Sequence, residues 1–555
     1  MLLQPGFRVR GTALVAIFAA SLVLCLGYLY LSPSVLDDIQ GHSAGPGLHP
    51  WPPSQLPPGV ASASDPVTDL PLPGEYLVDT PASPFCDDRF NRKYLTDLRA
   101  TAFQYCDASS RSSLTCFHSH TSSDEERDSL CVAQGVVFDA ETQKFVLHCD
   151  VVEPDANATE RGVISFHRVR QYWYDTGPKY IFDHHVRFVG AGDVAPLDGP
   201  PPPVQRHHYT LLVKREGEIN PWHCLLEIWS AAMTMDVLRS TRDAADPAGR
   251  RPHVVFPDDK PNVLVVLLDD RLDGPYFDLW QLFSGRPPVR LHAIANDPQA
   301  LAFYNTSSVV ETQHHMVVPL AGGSNPLWQN DWAARECTRS DTLRVFVQRV
   351  LSHYGMDDGP AVVDPPTPHA PAPVRVTFID RNDAGTRRLV DQDQLLEALR
   401  VKYNGTAVVA AVDFAAVPFA EQVRLARETD VLVGVHGAGL THTMFLREHV
   451  TAVVEIQPAD MDATFMGFRN LANMRGVTYF RTTAAPVVAP EAPAQPEELS
   501  AGETSDAAGG KGTRSLERRA SWHRENFAID SDAFVRAVGA AIESVYNKGL
   551  RHVEV

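Results

Sequence analysis

The string VLVGVHGAGLTHTMFL, Val431 to Leu446, holds the residues best suited to chemistry. An apolar strand would deliver His436, Gly437, Ala438 and Gly439 into a tight turn. A short helix opening at Leu440 and Thr441 would then present unpaired N–H groups to a diphosphate oxygen. The glycines permit close backbone approach. Gly434-x-x-Gly437-x-Gly439 has the wrong order for a dinucleotide fingerprint, and no G-x-S-x-G elbow accompanies HGAG as an esterase would require. A glycine-rich turn without a ligand is the plain alternative. Upstream, Arg381, Arg387 and Arg388 follow VRVTFID, where guanidinium groups can clamp phosphate bidentately or form a solvated charge run. In a third group, Asn220, His223 and Glu227 are spaced i, i+3, i+7 and would share one helical face. A capping Asn and a core His are the alternative there.

Two further groups invite a metal reading. Asp269, Asp270 and Asp273 in LLDDRLDG would suit a divalent cation beside phosphates, but turn aspartates at a strand end are common. His118 and His120 lack further clustered ligands and are expected as surface or loop histidines. No metal site is expected.

The elements that must position these residues show in the hydrophobic pattern from Val374 onward. Strands are expected at 374–380, 407–413, 431–435, 451–457 and 477–483, with helices at 392–402, 420–430 and 468–476 between them. Such alternation predicts a parallel, doubly wound sheet whose ligands bind beyond the C-terminal strand edge, where HGAG falls. Earlier, 208–214, 262–270 and 290–296 read as strands and 222–238 as a helix, giving a second α/β domain. Residues 532–548 read as a closing helix.

The whole chain has 555 residues, 44% hydrophobic, with 49 Lys+Arg against 68 Asp+Glu for a formal charge of -19. Such a chain can bury a large core, and its charge argues against nucleic acid. Residues 11–31 carry no charge and are long enough to span a bilayer, with Arg8 and Arg10 before them and Asp37 and Asp38 after. The expected layout is a cytosolic tail at 1–10, a transmembrane anchor at 11–31 and a Pro-rich stem at 32–85. An N-terminal α/β domain at 86–370 and a C-terminal α/β domain at 371–485 follow, then a disordered insertion at 486–525 and a C-terminal helix at 526–555. The chain would be a type II single-pass protein with its mass in the lumen. Beyond Cys25 in the anchor, seven cysteines leave at least one thiol outside internal disulfides, and sequons stand at Asn157, Asn305 and Asn404.

GVHGAGLTHTMFL with AVVEI after it resembles the signature of glycosyltransferase family 61. FCDDRFNRKYLTDL, NPWHCLLE, DGPYFDLW and VTFIDRNDAGTRRLVDQDQLLEAL resemble further family segments, from about residue 80 to 480 and again near Phe527–Ala540. The resemblance implies two facing Rossmann-like domains of glycosyltransferase B type, the first on the acceptor side and the second holding a UDP-sugar, with inversion at the anomeric carbon and no required cofactor. Arg381, Arg387, Arg388 and the turn from His436 through Gly437, Ala438, Gly439 and Leu440 to Thr441 would bind UDP. Glu227, with His223 second, would take the acceptor proton, and Asn220 would face the cleft. The expected donor is UDP-N-acetylglucosamine and the expected acceptor a Ser/Thr hydroxyl of a secretory-pathway protein. The alternatives are a xylosyltransferase acting on a glycan and a catalytically silent glycan-binding protein. Golgi membrane is the expected location, with the endoplasmic reticulum as the other choice, since the chain ends RHVEV and not in a KDEL-type signal.

Overall fold

In a computed structural model the chain is described over residues 70–76, 82–121, 127–190, 204–217, 219–243, 252–254, 263–304, 313–356, 372–381, 386–459, 461, 465–487 and 525–548. Those residues all belong to one unit, residues 66–555. The expected cytosolic tail and anchor, most of the stem, nearly all of the insertion, and Asn305 lie outside them. Among the described residues no helix is long and apolar enough to cross a membrane.

Two sheets organise the fold. The first contains β1 (Phe103–Gln104), β2 (Ser113–His118), β3 (Ser129–Asp139), β4 (Lys144–His148), β5 (Val186–Val189), β6 (Val204–Val213), β7 (Val263–Leu267), β8 (Val289–Arg290) and β9 (Gln313–Val318). Its main path is β1-β2-β3-β9-β6-β7-β8. β9, β6, β7 and β8 run parallel, whereas β1, β2, β3 and β9 pair antiparallel. The expected Rossmann-like character is therefore confined to half of this sheet. The other half is a hairpin stapled across β2 and β3 by Cys116–Cys131, with Cys106–Cys149 beside it. Cys86–Cys337 closes the third disulfide, and Cys224 is free and buried.

The second sheet contains β10 (Val374–Ile379), β11 (Ala407–Val412), β12 (Val431–Val435), β13 (Ala452–Pro458), β14 (Thr478–Val487) and β15 (Asn526–Ala528), in the order β11-β10-β12-β13-β14-β15. All its pairs are parallel except β14–β15. Because β12 is buried on both faces, it reads as a continuous apolar run. Val431, Val433 and Val435 pack with Leu395, Leu399, Phe534 and Ile542 from the helices Gln392–Lys402 and Ser531–Lys548. Leu432 on the opposite face joins a core that continues through Trp222, Leu225 and Trp229 of the helix Pro221–Ser240.

Three expectations change. Residues 290–296 are a strand only at Val289–Arg290 and then a 3-10 helix, Leu291–Asn296. Leu291 and Ile294 are three apart, which suits a 3-10 turn better than a period of two. Residues 70–76, assigned to the stem, join the folded body: the Leu70 N–H donates to Ser240 O at 2.9 Å, and Tyr76 Oη donates to buried Asp236 at 2.8 Å. The last segment supplies a strand, β15, before its helix.

Candidate functional site

β10 and β12 are parallel neighbours, so the residues just after each emerge at one sheet edge. Arg381 follows β10, and His436–Gly437 follows β12. Gly434 and Gly439 let the turn close onto Ile379, since a methyl group at either would lie 3.0 Å from that side chain. A methyl group on Gly437 would lie 3.1 Å from an Arg387 guanidinium nitrogen and 3.5 Å from one of Arg381. Two cations thus converge on the backbone of the HGAG turn. Burial and then the Arg381 charge push Arg387 down to about 10, and burial lowers Arg381 as well.

Arg387 sits in the left-handed region at φ 57, and its N–H donates to Glu525 O at 2.7 Å. Its neighbour Arg388 is exposed. The Arg388 N–H donates to Asn526 Oδ1 at 3.0 Å, and its carbonyl accepts from the Phe527 N–H at 2.8 Å. Of the three expected arginines, Arg381 and Arg387 approach Gly437, and Arg388 lies along the seam with β15. The expected helix after the turn is a 3-10 helix, Ala438–Phe445. Ala438 and Gly439 are partly exposed, while Leu440 and Thr441 are buried.

His436 is anchored from behind. Its Nδ1 lies 2.5 Å from Glu455 Oε1, Tyr479 Oη donates to Glu455 Oε2 at 2.6 Å, and Gln457 Nε2 donates to Oε1 at 3.2 Å. The ring meets Phe465 at 4.9 Å and Phe468 at 5.4 Å between centroids, both edge-on. Trp222 packs on the same two phenylalanines, which joins the start of the Pro221–Ser240 helix to the HGAG edge. Glu455 was missed in the sequence; its signal was a single acid inside the apolar run TAVVEIQ.

On that helix Asn220 is the N-cap, accepting from the Trp222 N–H at 3.0 Å. His223 stands half-buried, edge-on to Trp328 at 4.5 Å, and burial followed by the Arg271 charge pushes it down to about 4, so its imidazole is neutral. Glu227 is buried, with Oε2 lacking a hydrogen-bond partner. Burial, then the Glu216 and Asp269 charges, raise its carboxyl well above the ordinary range. Glu227 lines a narrow crevice with Gly217, Cys224, Tyr276 and Trp280. A second buried acid, Asp331, also went unnoticed. Its Oδ1 has no partner, burial pushes it up to about 7, and its carbonyl accepts from the Met466 N–H next to Phe465.

The acids suspected of holding a metal are paired with basic side chains. Asp269 and Asp273 share the Arg215 guanidinium at 2.7 and 3.3 Å, Asp273 also pairs with Arg290 at 2.7 Å, and exposed Asp270 pairs with His292 at 2.9 Å. His118 is not a surface histidine: it is buried on β2 between Tyr105 Oη (2.9 Å) and Ser129 Oγ (2.8 Å). His120 lies with Asp88 and Asp97 in the one metal-compatible trio among the described residues, where Lys93 already pairs with both aspartates. Asn157 and Asn404 are exposed.

A family model described as Glycosyltransferase 61 matches residues 300–454. Residues 300–454 are thus similar to that family. That segment contains Arg381, Arg387 and the whole HGAG turn, and it excludes Asn220, His223 and Glu227. The EGF domain-specific O-linked N-acetylglucosamine transferase of Drosophila melanogaster is 27% identical over 209 residues, covering 37% of this chain and 35% of that protein. Its Mus musculus counterpart is 30% identical over 144 residues, 26% of this chain and 25% of that protein. The Xenopus laevis protein is 28% identical over 153 residues, 28% of this chain and 27% of its own length. The chain thus matches between a quarter and about a third of the length of these relatives.

Proposed function

We propose that this protein is an inverting glycosyltransferase that moves a sugar from a UDP-sugar to a Ser/Thr hydroxyl of a secretory-pathway protein, with N-acetylglucosamine as the donor sugar. One observation carries the reading: Arg381 and Arg387 converge on Gly437 at the C-terminal edge of a parallel sheet. Paired guanidinium groups and turn N–H groups would stabilise the negative charge that develops on departing UDP. These cations supply countercharge from the protein itself, so the proposed reaction needs no cofactor. The relatives' names support the choice of N-acetylglucosamine and of a protein acceptor.

For the acceptor proton, His223 and Glu227 remain the proposed bases. The neutral imidazole of His223 supports the histidine, whereas burial and the Glu216 and Asp269 charges disfavour the ionised form of Glu227 that a base needs. Anchoring through residues 11–31 in the Golgi or endoplasmic reticulum membrane is part of the same proposal, supported by three disulfides that suit an oxidising compartment and by exposed Asn157 and Asn404.

The test is UDP release by the purified protein from a panel of UDP-sugars with and without a protein acceptor, repeated in EDTA. Acceptor-dependent release from UDP-N-acetylglucosamine that survives EDTA is expected. Release from UDP-xylose alone would reassign the sugar, and glycan binding without release from any donor would overturn the enzyme reading.

A further inference from the structure

Seven residues other than glycine take a positive φ among the described residues, and five of them fall in two loops. Arg387 (φ 57) and Asp391 (φ 58) belong to the loop of the arginine pair, while Tyr172, Tyr174 and Asp175 (φ 60, 58 and 56) crowd into four residues of the other. Tyr172, with ψ 164, lies in a region that only glycine enters readily. Such backbone costs free energy and persists only where its surroundings impose it. Here the Gln171 carbonyl accepts from the Gly177 N–H at 2.7 Å, Gln171 Nε2 donates to Asp175 Oδ1 at 2.6 Å, and Lys214 Nζ donates to the Tyr174 carbonyl at 2.8 Å. What the loop delivers is an accessible ring beside a proposed base. Tyr174 is 40% exposed and stands edge-on to His223 with centroids 6.3 Å apart, with the Arg271 guanidinium 6.0 Å over the ring. Of the nine exposed large apolar side chains among the described residues, two more stand next to this group in the chain. Leu272, 75% exposed, follows Arg271, and Ile219, 73% exposed, precedes the N-cap of the helix that carries His223. Apolar groups gathered at one accessible spot mark a contact surface. Leu272 and Ile219 offer a sugar no hydrogen bond, but they match an apolar side chain.

We propose that Tyr174, with Leu272 and Ile219 beside it, recognises the acceptor polypeptide by taking an apolar side chain two residues from the Ser/Thr that receives the sugar. The proposal rests on the transferase reading above and deepens it by stating what marks the acceptor. Spacing sets the register. In an extended segment the side chains of residues i and i+2 point the same way and stand about 6.6 Å apart, close to the 6.3 Å between the His223 and Tyr174 rings. A hydroxyl held at His223 therefore lays the side chain two positions away on Tyr174. The ring takes no part in bond making or proton transfer, so its loss should weaken acceptor binding and spare both UDP affinity and the rate at saturating acceptor.

The experiment measures transfer to short peptides with a single Thr and with Leu, Tyr or Ser two positions to either side, using the same panel of UDP-sugars as donors. Unaltered protein is compared with Tyr174→Gly, Tyr174→Phe and Leu272→Ser, and UDP affinity is read by calorimetry. Tyr174→Gly keeps the left-handed backbone and removes only the ring, and Leu272→Ser alters a side chain that the fold leaves in water. Unaltered protein should favour Leu or Tyr over Ser by about 10-fold in kcat/KM. Tyr174→Gly should raise KM for the favoured peptide about 10-fold with kcat and UDP affinity near normal, Tyr174→Phe should behave normally, and Leu272→Ser should narrow the preference. Equal use of Leu and Ser peptides by unaltered protein would overturn the proposal, whether or not Tyr174→Gly folds. So would an undiminished preference in Tyr174→Gly and Leu272→Ser, a loss in Tyr174→Gly confined to kcat, or UDP binding without transfer to any peptide. Absence of UDP binding by unaltered protein would instead sink the donor-site reading.

Discussion

Replacing Arg387 with Met should move stability and ligand affinity in opposite directions. Arg387 titrates near 10 against an ordinary 12.5. That difference of about 2.5 in pKa corresponds to about 3 kcal/mol against the charged form, and solvent reaching this partly buried group brings the figure nearer 1–2. The sign follows from linkage. A base whose folded pKa is depressed, yet still lies above neutral pH, stays charged in both states and carries the whole cost in the folded one. The cost is relieved only as pH rises past about 10. Arg387→Met keeps a long unbranched side chain and the same left-handed backbone, and it removes the desolvated charge beside Arg381. The unliganded variant should therefore be more stable near pH 7 by about 1–2 kcal/mol. UDP should bind it more weakly, because a charge-assisted hydrogen bond contributes about 1.5–3 kcal/mol, or roughly 10- to 150-fold in Kd. Thermal melting with and without UDP reads both quantities. A variant that is less stable without UDP and binds UDP normally would show Arg387 to be structural.

Asp331→Asn should remove a pH-dependent liability. The folded carboxyl titrates near 7 against an ordinary 3.8; the unfolded chain releases this proton first, so stability falls as pH rises from about 4 to 7. The difference of about 3 in pKa sets an upper limit of about 4 kcal/mol, and denaturant unfolding at pH 4 and pH 8 should show the variant gaining only at pH 8. Glu227→Gln should likewise gain stability towards neutral pH, since that carboxyl is also raised. If Glu227 is the base, the same variant loses transfer by about 10²–10⁴; if His223 is, transfer persists and its acid limb lies near pH 4, where His223 titrates.

The HGAG edge was legible because a parallel sheet writes itself as apolar runs separated by helical periods, and because glycines mark backbone approach. Which of two adjacent arginines reaches Gly437 was not legible. That choice depends on a left-handed residue at Arg387 and on pairing with residues 525–528, far along the chain. The helix carrying His223 and Glu227 was harder for another reason. Pro221–Ser240 is buried on nearly every side, so i, i+3, i+7 spacing selects no single functional face. Asn220 accordingly went to a cap and Glu227 to a crevice. The hairpin β2–β3 hid its antiparallel pairing because neither its apolar pattern nor cysteine counting fixes strand partners. Glu455 and Asp331 were visible as letters, but only packing reveals that a carboxylate is dry.

The seam between Arg387–Val390 and Glu525–Phe527 gives the HGAG edge an order of assembly. During synthesis, β10, the arginines and the HGAG turn all leave the ribosome before residues 488–524. The partners that set Arg387 and its neighbours follow only afterwards: Glu525 O accepts from the Arg387 N–H, the Asn526 side-chain Oδ1 from the Arg388 N–H, and Phe527 O from the Val390 N–H. A nascent chain stopped at Val487 would hold every proposed UDP contact in its sequence and lack the strand that shapes one of them. The backbone setting of Arg387 therefore forms only after residues 525–527 have been made, which ties one proposed UDP contact to a strand far downstream of it.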